Sequence, residues 1–303
     1  MKRTQRQSKR RAAFTIIELL TVMSIIVILI GLLVPALNMV RRFAQGVRQH
    51  AQLHSIDAAL ELFNNEFDGY PDSSALDPDR ESYCGAMKLC EAMLGQDMLG
   101  FHKNSVFRSN GMDAQNVRIY GLTPADGQLY DDSLKARKGP YLPLDNADVY
   151  ELSDIYPAAD ISGGGFTTDP DGRYPRVLCD VYTRTLPTGK KTGMPVLYYK
   201  ADTSKNRHEA TLAAPAPDVD SVNIYNYWDN HLLINMGKPW VTGGAGTTAK
   251  DHKMKDPVVF YAETQSEKVA TPMPRRPDTY ILISAGFDGE YGTSDDICNY
   301  QKK

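Results

Sequence analysis

The apolar positions of this chain begin with one long run near the N-terminus. From Ala12 to Leu37 the residues are predominantly apolar, and Glu18 is the single ionisable one. About 20 helical residues cross the ~30 Å hydrocarbon core of a bilayer, so this run predicts a transmembrane helix. A secretory signal has a shorter apolar region of about 7–15 residues. The simplest interpretation is therefore an uncleaved signal anchor with its basic side in the cytoplasm.

A helical spacing of apolar residues continues beyond this run. The apolar positions with i+3/i+4 spacing are Val40, Ala44, Val47, Ala51, Leu53, Ile56, Leu60 and Phe63. They predict one helix from Phe14 to about Asn65, followed by a Gly-Tyr-Pro stop. A proline inside a helix removes a hydrogen bond, so Pro35 predicts a kink or a short unwound stretch. The stripe covers too few heptads for a continuous coiled coil.

The remainder of the chain has short strand patterns. Four β-branched or aromatic runs are bounded by turn residues: Arg176–Tyr182, Pro195–Lys200, Pro257–Tyr261 and Thr279–Ser284. A short helix is predicted near Ala86–Leu94. The Pro-, Ala- and Gly-rich stretch from about 201 to 277 predicts mainly loop. The expected fold class is α+β: a long N-terminal helix packed on a small antiparallel sheet, with a large loop-rich insertion.

Charge is distributed unevenly along the chain. The net charge is −3, from 34 Lys+Arg and 37 Asp+Glu, and residues 1–13 carry six Lys/Arg and no acid. Removing those six leaves 28 basic against 37 acidic residues, or −9 for residues 14–303. A basic tip on an acidic body indicates a membrane-directing segment and argues against nucleic-acid binding by the body. These patterns divide the chain into a leader (1–13), a transmembrane helix (14–37), an amphipathic spine helix (38–68) and an α+β head (69–303).

Two features distinguish the N-terminus from a simple anchor. Glu18 lies inside the apolar run, where an unpaired carboxylate is costly. The run also begins abruptly after a short basic leader, with the sequence RRAAFTIIELL. This resembles the prepilin signal of type IV pilins and type II secretion pseudopilins. In that family a membrane peptidase cuts before the Phe and methylates the new amine, which here implies Ala13 and Phe14. The family usually has Gly rather than Ala before the cut.

The resemblance implies a structural role rather than catalysis. Glu18 is the fifth residue counted from Phe14, as in the family, and the family also favours a proline at Pro35. The segment IDAALELFNNEFDGYPD is similar to the end of the spine helix in the major pseudopilin. The implied partners are copies of this chain and other pseudopilins in a filament, the prepilin peptidase, the inner-membrane secretion assembly platform and membrane lipid. The implied location is the bacterial inner membrane, with the N-terminus cytoplasmic and the head periplasmic.

Alternative interpretations of this N-terminus concern both the class of protein and the state of Glu18. A type IV pilin, a minor pilin or a membrane-anchored exported binding protein would carry a similar helix. For Glu18 there are two interpretations. Its carboxylate either pairs with the amine of a neighbouring subunit, or it has no partner and snorkels or is protonated.

The most specific motif of the head is SAGFDGEYGTSDDI, which follows the last predicted strand. Ca²⁺ takes six to eight oxygen ligands, and three carboxylates on a Gly-rich loop supply several of them. The motif resembles the calcium loop of major pseudopilins, with Phe287 in place of the usual Pro. The resemblance implies Ca²⁺ held by Asp288, Asp295 and Asp296, with Ala285 as a backbone-carbonyl candidate. An Asp-Gly turn without a metal is the alternative.

Cysteine and histidine spacing gives weaker signals. The four cysteines are Cys84, Cys90, Cys179 and Cys298. Outside the cytoplasm Cys84 and Cys90 are disulfide candidates, although pairing cannot be read from sequence, and their spacing does not favour zinc. His50 and His54 are i, i+4 on the predicted helix, a spacing that suits a shared metal but is also found in exposed pairs. The chain contains no Walker A, G-x-S-x-G, H-E-x-x-H or dinucleotide motif, so no enzyme class is predicted.

Overall fold

The computed structural model describes residues 15–241, 248–267 and 272–300. By its internal contacts the chain divides into two compact units, Met1–Ala44 and Gln45–Lys303. The fold is mixed α+β, with one long N-terminal apolar helix and small antiparallel sheets, which confirms the fold class at that level. The predicted leader lies outside the described residues.

Helix α1 covers Ile16–Phe67 and confirms the predicted long helix. Its most apolar stretch has no buried residues, and by length and composition it is the one helix in the described ranges able to cross a membrane. The helix continues through Pro35, so the prediction of an unwound stretch is wrong, whereas a bend there stays a prediction. In a helix a proline ring crowds the carbonyl four residues earlier, which here belongs to Gly31, and the backbone of a glycine adjusts most readily.

Besides α1, the described residues form six further α-helices and nine short strands, which are joined by loops and five 3-10 helices. The helices are α2 (Gly85–Leu94), α3 (Gln128–Lys135), α4 (Leu152–Ile155), α5 (Ala158–Gly163), α6 (His231–Asn235) and α7 (Pro257–Thr264). The strands are β1 (Phe101–His102), β2 (Arg137–Lys138), β3 (Val149–Glu151), β4 (Arg176–Leu178), β5 (Arg184–Thr185), β6 (Lys191–Thr192), β7 (Leu197–Lys200), β8 (Tyr280–Ser284) and β9 (Ile297–Cys298). All pairings between these strands are antiparallel: β1–β2, β3–β4, β5–β6 and the three-stranded β7–β8–β9.

The three-stranded sheet lies between two hydrophobic clusters. Its side chains alternate between the two faces, as the pleat requires. Tyr198 and Leu282 belong to the cluster that contains the buried face of α1, whereas Tyr199 and Ile281 belong to the cluster on the opposite face. Both faces are therefore covered, and every residue of β8 is buried. The strand core predicted at Thr279–Ser284 is confirmed, and it places the acidic loop directly after a fixed strand.

The C-terminal part of α1 packs by both apolar and polar residues. The predicted apolar stripe is confirmed where the following residues are buried: Leu53, Ile56, Leu60 and Phe63. Val47 and Ala51, also predicted for the stripe, are exposed. Gln49 and Gln52 are buried instead, because their amides pair with the backbone near β4. Gln52 Nε2 donates to the Cys179 carbonyl at 2.9 Å, and the Val181 N–H donates to Gln49 Oε1 at 2.9 Å.

The insertion is more ordered than its composition predicts. Pro257–Tyr261 was predicted as a strand, but it is the beginning of helix α7. The reason is local: the Asp256 side chain caps the helix by accepting from the Val258 N–H at 2.8 Å, and proline is favoured at the first helical position. The predicted strand Arg176–Tyr182 is shorter, ending at Leu178. Helices α6 and α7 lie within the stretch predicted as mainly loop, so that prediction is wrong there.

Candidate functional site

Glu18 lies in the first turn of α1, where its own helix binds the carboxylate. The Thr15 N–H and hydroxyl donate to Glu18 Oε2 at 2.8 and 2.7 Å. The Glu18 N–H donates in return to the Thr15 hydroxyl at 3.3 Å. This reciprocal arrangement is a capping box, and it satisfies donors that the helix N-terminus leaves unpaired. The predicted cleavage residues, Ala13 and Phe14, lie outside the described residues.

The second carboxylate oxygen of Glu18 is available for another group. In the part of the chain that the structure describes, Oε1 has no hydrogen-bond partner, and the whole first turn is exposed. The neighbouring side chains Ile16 and Ile17 are 87% and 68% exposed. The Glu18 carboxylate therefore lies on an exposed apolar surface and has one oxygen without a hydrogen-bond partner among the described residues. This arrangement is suited to binding a cation.

The acidic loop joins β8 to β9 by a tight path that requires glycine. Gly286, Gly289 and Gly292 have φ values of 65°, 66° and 90°, in the region that L side chains avoid. A Cβ at Gly286 would lie 2.2 Å from the Asp295 carbonyl oxygen. The two ends of the loop are thus in backbone contact, as the Gly-rich sequence predicts.

The structure brings two of the predicted metal ligands together. The Asp288 N–H donates to Asp295 Oδ2 at 2.9 Å, and the Thr293 hydroxyl donates to Asp295 Oδ1 at 2.5 Å. Burial raises the pKa of Asp288, and the adjoining Asp295 carboxyl adds to this effect. Against the effect of its own burial, the hydrogen bonds from Thr293 and Asp288 lower the pKa of Asp295. Two carboxyl groups in contact attract either a shared proton or a cation.

The third carboxylate has a different role in this structure. Asp296 is 5% exposed, and the Gly292 N–H donates to its Oδ2 at 2.8 Å. Ala285 is fully buried in the core. Among the described residues, no group of three or more His, Cys, Asp or Glu side chains is arranged to hold a metal ion. Asp288 and Asp295 are in contact, whereas Asp296 accepts from the backbone of the loop, so calcium binding by the three carboxylates stays a prediction.

Residues of the insertion hold the acidic loop, and sequence reasoning missed them. Lys238 Nζ lies 2.6 Å from Glu290 Oε2, with both side chains largely buried. The Tyr291 N–H donates to His252 Nδ1 at 3.2 Å, and the Met254 N–H donates to the Tyr291 carbonyl at 3.0 Å. These partners are 37 to 52 positions apart in sequence. A local sequence motif does not predict contacts between residues so far apart.

The disulfide candidates Cys84 and Cys90 are not paired with each other in this structure. All four cysteines are free, buried thiols. Cys84 precedes α2 and belongs to one hydrophobic cluster, whereas Cys90 lies on α2 and belongs to the other. Six helical positions turn a side chain by roughly 240°, which places the two thiols on different sides of α2. Burial raises the pKa of each thiol to about 12.

A polar cavity of about 430 Å³ lies where the insertion begins. Its lining includes Asp72, Lys200, Asn223, Asn226 and Asp229. Asp229 is 4% exposed and accepts a hydrogen bond from the Ser73 hydroxyl, and burial raises its pKa well above the usual range. The cavity is suited to a small polar or cationic ligand rather than an apolar one.

Comparison with known proteins adds no relative. No protein-family model matches the chain, and neither the curated proteins nor the solved structures contain a match to it.

Proposed function

We propose that this chain is a pseudopilin-like structural subunit that assembles through α1 into a short filament of a type II secretion system in the bacterial inner membrane. The observation that carries the proposal is Glu18. It is the one ionisable residue between Ala12 and Leu37, on an exposed apolar helix that continues as the core helix of the head. A simple membrane anchor has no use for such a carboxylate, whereas a helix that recognises another subunit does.

Assembly would use Glu18 together with a newly formed amine. Cleavage by the prepilin peptidase between Ala13 and Phe14 leaves a methylated, cationic amine at Phe14. In a filament core that amine would lie beside Glu18 of a neighbouring copy, and each charge would neutralise the other where water is excluded. Glu18 Oε1, which has no hydrogen-bond partner among the described residues, is the acceptor. The chain itself catalyses nothing in this scheme.

Calcium is the cofactor that we propose for the acidic loop. Asp288 and Asp295 would hold it, with Asp296 and the Ala285 carbonyl close by in sequence. Bound Ca²⁺ supplies positive charge to carboxyl groups that otherwise repel one another. Lys238 contributes a fixed positive charge at Glu290, so the loop is held from that side without a metal.

We expect chelator to lower the melting temperature of the head, residues 45–303, and calcium to restore it better than magnesium. A ligand that binds only the folded state stabilises it by roughly 2.7 kcal/mol at a hundredfold excess over Kd. Mg²⁺ fits less well because it demands octahedral geometry and releases water reluctantly. Asp288→Asn with Asp295→Asn is expected to remove the response. As a control, Asp131→Asn with Asp132→Asn on the exposed helix α3 removes the same amount of charge. This variant is expected to keep the stabilisation by calcium. A melting curve unaffected by chelator would contradict the calcium proposal.

Deletion of the gene in its own host tests the proposed function. We expect export of secreted proteins to stop, and complementation by the intact chain to restore it. Loss of cell-surface filaments with normal export would instead assign the chain to a type IV pilus, as a major or minor pilin.

A second candidate function is a membrane-anchored exported binding protein, favoured by the polar cavity beside Asp229. A deletion strain with normal export and normal filaments, together with saturable binding of a small polar ligand by the head, would support it over assembly.

A further inference from the structure

Two histidines on α1 have no role in the assembly described above. His50 and His54 are one helical turn apart and exposed, and within the described part of the chain neither ring has a hydrogen-bond partner. The other four histidines are all buried in the structure, and they are His102, His208, His231 and His252. His50 and His54 are therefore the two histidines whose imidazole rings are accessible to solvent.

The two imidazoles share a cavity with carboxylates. The cavity has a volume of about 580 Å³, and His50, His54, Asp57 and Asp296 all line it. Its other side is formed by the residues of β9 and those that follow, up to Tyr300. The pair thus lies at a solvent-open cavity that also contains carboxylates.

Asp57 is a fixed carboxylate at the right place. It follows His54 by three residues, on the same side of α1. The Tyr280 hydroxyl donates to Asp57 Oδ1 at 2.8 Å, and Asn299 Nδ2 donates to the same oxygen at 3.1 Å. Carboxylates that support a metal site are themselves held by hydrogen bonds in this way. The other carboxylate oxygen, Oδ2, lies 3.9 Å from Arg276 Nη1, so Asp57 is held in place as an acceptor for metal-bound water.

We propose that His50 and His54 form a binding site for a transition-metal ion such as Zn²⁺ or Cu²⁺. Imidazoles at i, i+4 on one helix face chelate such ions, which prefer nitrogen ligands, whereas Ca²⁺ prefers oxygen. The described residues contain no preformed group of three such side chains. The two imidazoles are therefore the protein ligands, water fills the remaining positions, and Asp57 binds that water. The two imidazoles are distinct from the Asp288 and Asp295 pair, although Asp296 of the acidic loop lines the same cavity, and the site is independent of the filament proposal.

Metal titration of the full-length chain in detergent micelles tests this site. We expect one Zn²⁺ per chain by equilibrium dialysis, and an electron paramagnetic resonance spectrum of bound Cu²⁺ with coupling to two imidazole nitrogens. His54→Gln is expected to weaken binding by roughly tenfold or more, since loss of even an outer-shell partner costs about 10–100-fold. His54 is exposed on a helix surface, so the substitution is compatible with the fold.

A matched variant separates helix spacing from histidine content. His54→Gln combined with Ala51→His keeps the number of histidines but places them at adjacent positions, which face different directions. We expect it to bind as weakly as His54→Gln alone. The proposal is overturned if the relocated pair binds like the parent chain, or if the parent shows no saturable binding. It is also overturned if Asp288→Asn with Asp295→Asn abolishes binding, because the ion would then occupy the acidic loop.

Discussion

Replacing Glu18 with alanine is expected to abolish filament assembly while the chain still inserts into the membrane. Without the carboxylate, the amine at Phe14 of the neighbouring copy is left as an unpaired charge in a dry interface. Removing one partner of a buried ion pair costs roughly 3–5 kcal/mol per interface. Insertion becomes easier, because an apolar helix without a charge partitions more readily into lipid. Cross-linking of membranes, read as the ladder of oligomers relative to monomer, measures assembly.

Glu18→Gln separates the charge from the capping box. Glutamine also serves at the third helical position of a capping box, so it keeps the local contacts with Thr15 while removing the negative charge. We expect Glu18→Gln to fail in assembly much as Glu18→Ala does. Normal oligomer ladders from Glu18→Gln would mean that the helix cap matters and the charge does not. Normal ladders from both variants would remove Glu18 from the assembly mechanism.

The second large effect is the loss of stability in acid that each of three buried histidines of the insertion contributes to the head. Burial lowers the pKa of His208 and His231 to about 4 and that of His252 to about 3. In the unfolded chain a histidine titrates near pH 6.5. As the pH falls from about 6.5 towards 4, the unfolded state gains protons that the folded state cannot take up. Each histidine then removes roughly 2 kcal/mol of stability at about pH 5.

A buried acid opposes this trend. Burial raises the pKa of Asp180 to about 7, and it raises that of Asp229 well above its usual range. Between about pH 4 and 7 the folded state binds the proton of Asp180 more strongly than the unfolded chain does, so acidification stabilises the fold through this group. The pH dependence of the whole protein's stability is therefore the sum of opposite contributions from buried histidines and buried acids. Substitution of a single residue measures the contribution of that residue.

His252→Asn isolates one contribution. The Asn oxygen takes the place of His252 Nδ1 as acceptor for the Tyr291 N–H, and the variant does not titrate in this range. We expect the stability lost between about pH 7.5 and about pH 5 to be smaller in the variant by roughly 2 kcal/mol. Urea denaturation of residues 45–303 at both pH values measures this difference. His54→Gln, which replaces a histidine at an exposed site, is the matched control. An identical pH dependence in His252→Asn and the parent would contradict the assigned burial.

Local patterns predicted the elements whose causes are local. Helix α1 was located from the apolar run, the i+3/i+4 spacing and the Gly-Tyr-Pro stop. This was possible because helix periodicity and capping depend on residues that are close in sequence. The strand predicted at Thr279–Ser284 was found at Tyr280–Ser284 because both of its faces are buried and its first four residues are apolar or aromatic. The glycines of the acidic loop likewise predicted its tight path.

Features set by distant pairs were not predictable from local patterns. Gln49 and Gln52 appear polar and surface-bound in sequence, but they are buried because a strand edge more than 120 positions away needs their amides. Pro257 was assigned to a strand because Val258, Val259 and Phe260 favour one. The segment is helical because the Asp256 side chain caps the N-terminus of α7. The role of Lys238 at Glu290 depends on how the insertion folds back, which no spacing reveals.

Mass spectrometry of the N-terminus of the membrane-inserted chain, purified from its own host, tests the central claim most directly. The claim is that the apolar helix is a prepilin-type assembly helix, with cleavage between Ala13 and Phe14. We predict a mature chain that begins with a methylated Phe14 amine. An intact chain that still carries the basic leader from Met1 would contradict the pseudopilin proposal and identify the helix as a simple anchor.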